Sequence, residues 1–85
     1  MDKVIKVILL MSNQILISQI EEISTELGEP DCKLINPYQV LKDKTIEPLF
    51  IDYTNQKTFM IHSDKIFTIT DPNSELIDKY DLINK

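Results

Sequence analysis

Few residues of this chain are equipped for covalent chemistry, and they are thinly spread. Its single cysteine, Cys32, would act as a nucleophile only with a base beside it, and the single histidine, His62, is the available partner. One thiol and one imidazole do not make a zinc-ligand spacing, and a lone cysteine forms no intrachain disulfide. The carboxylates of Glu21 and Glu22 offer an acid–base pair by proximity, but adjacent residues on a strand point to opposite faces. Gly28 is the only glycine, so neither a phosphate-cradling loop nor a dinucleotide fingerprint can be written. The residues therefore predict a protein that is not an enzyme and takes no metal or cofactor.

Binding chemistry is better represented. The aromatic residues Tyr38, Phe50 and Tyr53 are able to stack on bases, although in strands such residues more often fill a core or an interface. Charge opposes a generic nucleic-acid binder: fourteen acids face nine bases, for a net −5. Every base is lysine, whereas arginine is the preferred residue for bidentate phosphate and base-edge contacts. An assembly of several copies would still be able to gather a few lysines onto one face.

The elements that must position these groups are short. Val4–Met11 is apolar apart from Lys6 and reads as a strand; it is too short to span a bilayer and is not followed by a small-residue cleavage site. Ser12–Gln14 is a break of hairpin length. Ile15–Ile23 follows as a second strand, its β-branched residues and the preceding break favouring that reading over the helix that Leu16, Ile20, Ile23 and Leu27 would also allow. Leu27-Gly28-Glu29-Pro30 is a turn. Cys32–Ile35 begins a third strand in which Pro37 marks an edge, a bulge or a bend, and Tyr38–Leu41 resumes it. Leu49–Tyr53 and Thr58–His62 read as strands about a polar tip, and Ile66–Thr70 as the last strand. Asp71 and Pro72 then start a helix, as cap and first helical residue, with Leu76, Tyr80 and Ile83 on one face and Glu75 spaced to pair with Lys79.

Such short strands with tight connections suggest a strongly bent sheet or small open barrel. The chain here resembles the Sm and Sm-like (LSm) family, and most closely the Sm-like proteins of marine metagenomes attributed to cyanophages. Lys6–Leu10, Ser12–Gln14 and Ile15–Glu22 are similar to that group's opening hairpin, Leu34-Ile35-Asn36-Pro37 to its third-strand Asn-Pro, and Phe59–Ile69 with Asp71–Leu76 and Tyr80 to its closing strands and helix. The resemblance spans nearly the whole chain. It implies a mainly β, five-stranded antiparallel sheet, strongly bent into a small open barrel, with a C-terminal helix: one domain over 1–85, strands over 3–70 and helix over 72–84.

The same resemblance implies a homo-oligomeric ring, roughly five to seven copies, in which the fourth family strand of one subunit pairs with the fifth of the next. The expected interface is Thr58, Phe59, Met60 and Ile61 against Ile66, Phe67, Thr68 and Ile69. Apolar and free of proline, these strands would be aggregation-prone edges if left open. Nucleic-acid contact is expected at His62, Asp64 and Lys65; His62 stands where the wider family holds an RNA-contacting arginine, and Ser63 where it holds a glycine. The expected function is a non-catalytic ring that binds RNA or DNA in nucleic-acid processing. The alternative is a structural or adaptor ring that binds proteins, which the acidic charge favours. A cytoplasmic location, in the infected host if phage-encoded, fits a lone cysteine.

Overall fold

The computed structural model describes residues 4–84. Six strands form one antiparallel sheet that does not close: β1 (Ile5–Leu10), β2 (Ile15–Glu22), β3 (Cys32–Val40), β4 (Ile46–Pro48), β5 (Thr58–Ile61) and β6 (Ile66–Thr70). A 3-10 turn, Ser63–Lys65, joins β5 to β6, and one helix, α1 (Ser74–Ile83), follows. The mainly β architecture with a C-terminal helix is thus as the sequence predicts.

The strand order is β4-β3-β2-β1-β6, with β5 also on β3. Two short strands share one edge of β3: Cys32–Ile35 pairs with β5, and Tyr38–Val40 with β4. The sheet is therefore five strands wide, and β3 changes partner at Asn36-Pro37. Proline has no N–H to give a ladder, and Asn36 takes a positive φ of 54°. The register between β2 and β3 shifts at the same place, between Ile17 and Gln19. Pro37 accordingly marks a bulge within one continuous strand.

The two hairpins at one end of the sheet close alike. In the first, Leu10 N–H donates to the Gln14 carbonyl (3.0 Å) and Asn13 N–H to that of Leu10 (2.9 Å); in the second, Leu41 donates to Thr45 (2.8 Å) and Lys44 to Leu41 (2.9 Å). Each needs one left-handed residue, Asn13 (φ 71°) and Lys44 (φ 69°). Asparagine tolerates that region and lysine does so less readily.

Leu16 and Ile17 are successive residues of β2, and both are fully buried, so the sheet is covered on both faces there. One face carries Ile8, Leu16 and Leu34, flanked by Leu10, Ile20, Leu49, Ile61 and Ile66. On the other, Val7, Ile17 and Tyr38 form a cross-strand row, and Tyr80 of α1 meets Tyr38 edge-on, ring centroids 5.7 Å apart. The buried Tyr80 hydroxyl reaches the bulge: it donates to the Asn36 carbonyl (2.9 Å), with that of Ile35 at 3.2 Å, and accepts from Gln19 N–H (3.3 Å). A phenol thus supplies hydrogen-bond partners to backbone groups at the register shift, and the buried Ser18 hydroxyl also donates to the Ile35 carbonyl (3.2 Å).

Two expectations are corrected. Leu49–Tyr53 is not a strand; β4 lies earlier, and Pro48 and Leu49 end its pairing. Phe50 adopts a positive φ of 59°, and its carbonyl receives both Tyr53 N–H (2.9 Å) and Thr54 N–H (3.1 Å). The helix starts two residues later than expected: Asn73 is the cap, its side chain accepting from Leu76 N–H (2.9 Å). Asp71 instead pairs with Lys6 on β1, so its carboxylate anchors the strand-to-helix connection. The expected Glu75–Lys79 pair is present at 3.7 Å, while Ile83 is half exposed and only Tyr80 is buried in the helix.

Candidate functional site

Residues 62–65 form the corner between β5 and β6. Lys65 N–H donates to the His62 carbonyl (3.0 Å), closing the 3-10 turn, and the Lys65 carbonyl accepts from Met11 N–H (2.8 Å), tying the corner to the end of β1. His62 is partly buried, whereas Asp64 and Lys65 are exposed. The three predicted contact residues thus sit on one turn, and two of them face solvent.

A residue that the sequence reading missed organises this turn. Asp31, just before β3, grips Ser63 with both carboxylate oxygens: Oδ1 accepts from Ser63 N–H and Oδ2 from Ser63 Oγ, each at 2.7 Å. These bonds hold the Asp31 carboxyl below the ordinary aspartate range. Local sequence gives no signal for a contact across 32 positions; the pairing of Cys32 with Ile61 is what brings Asp31 beside Ser63. Where the resemblance implies a glycine, a serine stands, and its hydroxyl and amide are both engaged by one acid.

The same register places Cys32 one residue from the His62 side of the turn, yet the thiol does not have the character of a nucleophile. It is buried, and burial pushes it up, with the charges of Asp31 and Glu22 adding in the same direction. A thiol so placed stays protonated at neutral pH. Among the described residues no three His, Cys, Asp or Glu side chains are gathered to hold a metal ion, and no helix is long and apolar enough to cross a membrane.

The eight expected interface residues lie on two strands that each have one free edge. Among the described residues β5 pairs only with β3, and β6 only with β1. Large apolar side chains on them are exposed: Met60 at 44%, Phe67 at 69% and Ile69 at 43%. Phe67 is the extra residue at a second register shift, between Leu9 and Leu10 of the partner strand. Beside β6 a cleft of about 760 Å³ is walled by Ile20, Cys32, Ile66, Phe67 and Ile69.

Residues 3–85 match a family described as a family of unknown function, DUF6561. The chain belongs to that family. The match runs through every strand, the clamped corner and the helix of this DUF6561 member, so these features fall within the family's own extent. No curated protein matches the chain.

Proposed function

We propose that the chain is an Sm-like subunit that assembles with copies of itself into a closed ring, non-catalytic, which binds single-stranded nucleic acid. The observation that carries the assembly is the pair of free edges: β5 and β6 leave one tight turn, are free of proline and expose Met60, Phe67 and Ile69. Natural sheets protect such edges with charge, proline or a partner, and neither strand has the first two. Pairing β5 of one copy with β6 of the next covers both, and repeating the operation closes a ring. A chain of this length buries only about 60% of its unfolded surface alone, so an added interface is a natural source of stability.

The mass in solution tests the assembly. The wild-type chain should run as a multimer of its 9.9 kDa subunit, and Met60→Lys or Phe67→Lys should shift it towards monomer; a wild-type monomer would sink the ring. Nucleic-acid binding is supported by the resemblance to Sm-like proteins and by the His62–Lys65 turn, whose Asp64 and Lys65 face solvent and which a ring would repeat around one rim. It predicts affinity for single strands that falls steeply with salt, and no binding at low salt would remove it. A second reading, a ring that docks proteins, is favoured by Asp31 and Asp64 at the same corner, since their charges oppose phosphate. Recovery of a protein partner with no nucleic acid would favour that reading.

A further inference from the structure

The partner change on β3 leaves a notch in the sheet edge. β4 ends at Pro48 opposite Tyr38, and β5 begins at Thr58 opposite Ile35, so Asn36 and Pro37 face a gap that the loop 49–57 wraps. Two backbone bonds frame it: Asn36 N–H to the Lys57 carbonyl (2.7 Å) and Leu49 N–H to that of Pro37 (3.0 Å). The gap is a cavity of about 360 Å³, within the range of small-molecule sites, roughly 300–1,000 Å³.

Its walls have a particular chemistry. Tyr38 and Phe59 supply aromatic surface, Asn36, Asn55 and Gln56 supply amides, and Lys57 supplies the one cation; no carboxylate lines it, in a chain where acids outnumber bases fourteen to nine. Among the described residues the side chains of Asn36, Asn55 and Lys57 make no hydrogen bond or ion pair with the rest of the protein. Three polar groups uncommitted to the fold therefore converge beside apolar ring surface. Amides present a donor and an acceptor side by side, the complement of a base edge; aromatic faces stack on bases; an ammonium meets phosphate.

We propose that this notch binds one nucleotide, its base against Phe59 with the Asn36 and Asn55 amides at its edge, and its phosphate at Lys57. The nucleotide is either free or one unit of a single strand, and the second source rests on the nucleic-acid reading above. The notch is separate from the His62–Lys65 corner: it lies at the far end of β5 and uses none of the corner's side chains.

Backbone-amide NMR of the full chain tests this, with adenosine and uridine monophosphates and short adenylate and uridylate strands as probes. The expected result is a shift at Asn36, Tyr38 and 55–57 with at least one probe, and affinity reduced about tenfold in Lys57→Ala or Asn55→Ala at unchanged thermal midpoint. The shift map on wild-type protein decides the matter even if a variant folds poorly. Shifts in the notch with monophosphates alone uphold the pocket while the nucleic-acid reading fails. Strand binding that maps only to 62–65, and is weakened by Lys65→Ala but not Lys57→Ala, overturns the pocket and leaves that reading standing. No shift at the notch with any probe overturns the pocket.

Discussion

The start of β3 and its middle treat polar groups in opposite ways. At the start, Asp31 uses both carboxylate oxygens on Ser63, and the corner between β5 and β6 is fixed by groups internal to the protein. Five residues on, at Asn36-Pro37, the backbone is satisfied by Tyr80, Lys57 and Leu49, while among the described residues the Asn36 and Asn55 amides and the Lys57 ammonium make no bond to the fold. The first arrangement stabilises a turn that orients two free-edged strands; the second leaves hydrogen-bonding capacity facing solvent. Polar residues engaged with each other build the scaffold, and those left open are the ones with something to offer a ligand. By that measure the clamped Ser63 serves the scaffold, and the open groups of the notch are those the proposed ligand site uses.

The largest expected effect comes from removing what shapes the notch. Tyr80 is 3% exposed, and burial raises its phenol above the ordinary range, so it remains a donor to the bulge carbonyls at neutral pH. Tyr80→Ala should lose about 3–5 kcal/mol in chemical denaturation, the range for a buried aromatic. Tyr80→Phe keeps the ring but leaves the Gln19 N–H and the Asn36 carbonyl without their partner, about 1–3 kcal/mol. Its amide NMR shifts should centre on 35–37 and spare 62–65; equal disturbance of both regions would mean that the two ends are not independent.

The clamp should announce itself through pH. A carboxyl whose pKa is lowered in the folded chain contributes stability above its unfolded value, here 3.8, and that contribution is lost as pH falls through the folded value. Wild type should therefore melt above Asp31→Asn at neutral pH, with the gap closing in acid below 3.8. A constant gap would show that the carboxylate charge is not what holds Ser63. Asp43, lowered in the same way by Thr45, is present in both proteins and cancels in the difference. A smaller, kinetic effect should appear at the neighbouring thiol. Cys32 is buried and its pKa raised, so alkylation of the folded chain should be slow at mildly alkaline pH and faster in Asp31→Asn, where the corner opens more often. Rapid alkylation of wild type would show that the start of β3 is frayed.

Much of the sheet was legible because its signals are local. Apolar runs and β-branched residues mark β1, β2, β5 and β6, and Pro37 signals an edge, a bulge or a bend, of which the sheet shows the bulge. Leu49–Tyr53 misled because an apolar run looks like a strand whether or not a ladder awaits it; Pro48 and the positive φ of Phe50 turn it into loop. Asp71-Pro72 misled because two good caps lie close together, and Lys6, far away in sequence, claims the first. The resemblance points to His62, Asp64 and Lys65, but nothing in it points to Asp31, whose partner lies 32 residues away. The notch was illegible for the same reason: Asn36, Asn55 and Lys57 meet only because β3 carries two partner strands on one edge.

The smallest expected effect on stability separates the two regions most cleanly. Lys57 and Asn55 are exposed and their side chains are uncommitted within the fold, so Lys57→Ala and Asn55→Ala should change unfolding free energy by no more than about 0.5 kcal/mol, as surface substitutions usually do. Asp31→Asn, also near the surface, should instead lower the melting temperature measurably, because it breaks bonds the fold uses. If Lys57→Ala proved destabilising, the ammonium would be a structural group like Asp31 and the contrast between the ends of β3 would collapse. If it is silent in thermal and chemical unfolding yet weakens nucleotide binding, then the groups that hold this small sheet together and those that serve its ligand are different residues on one strand's edge.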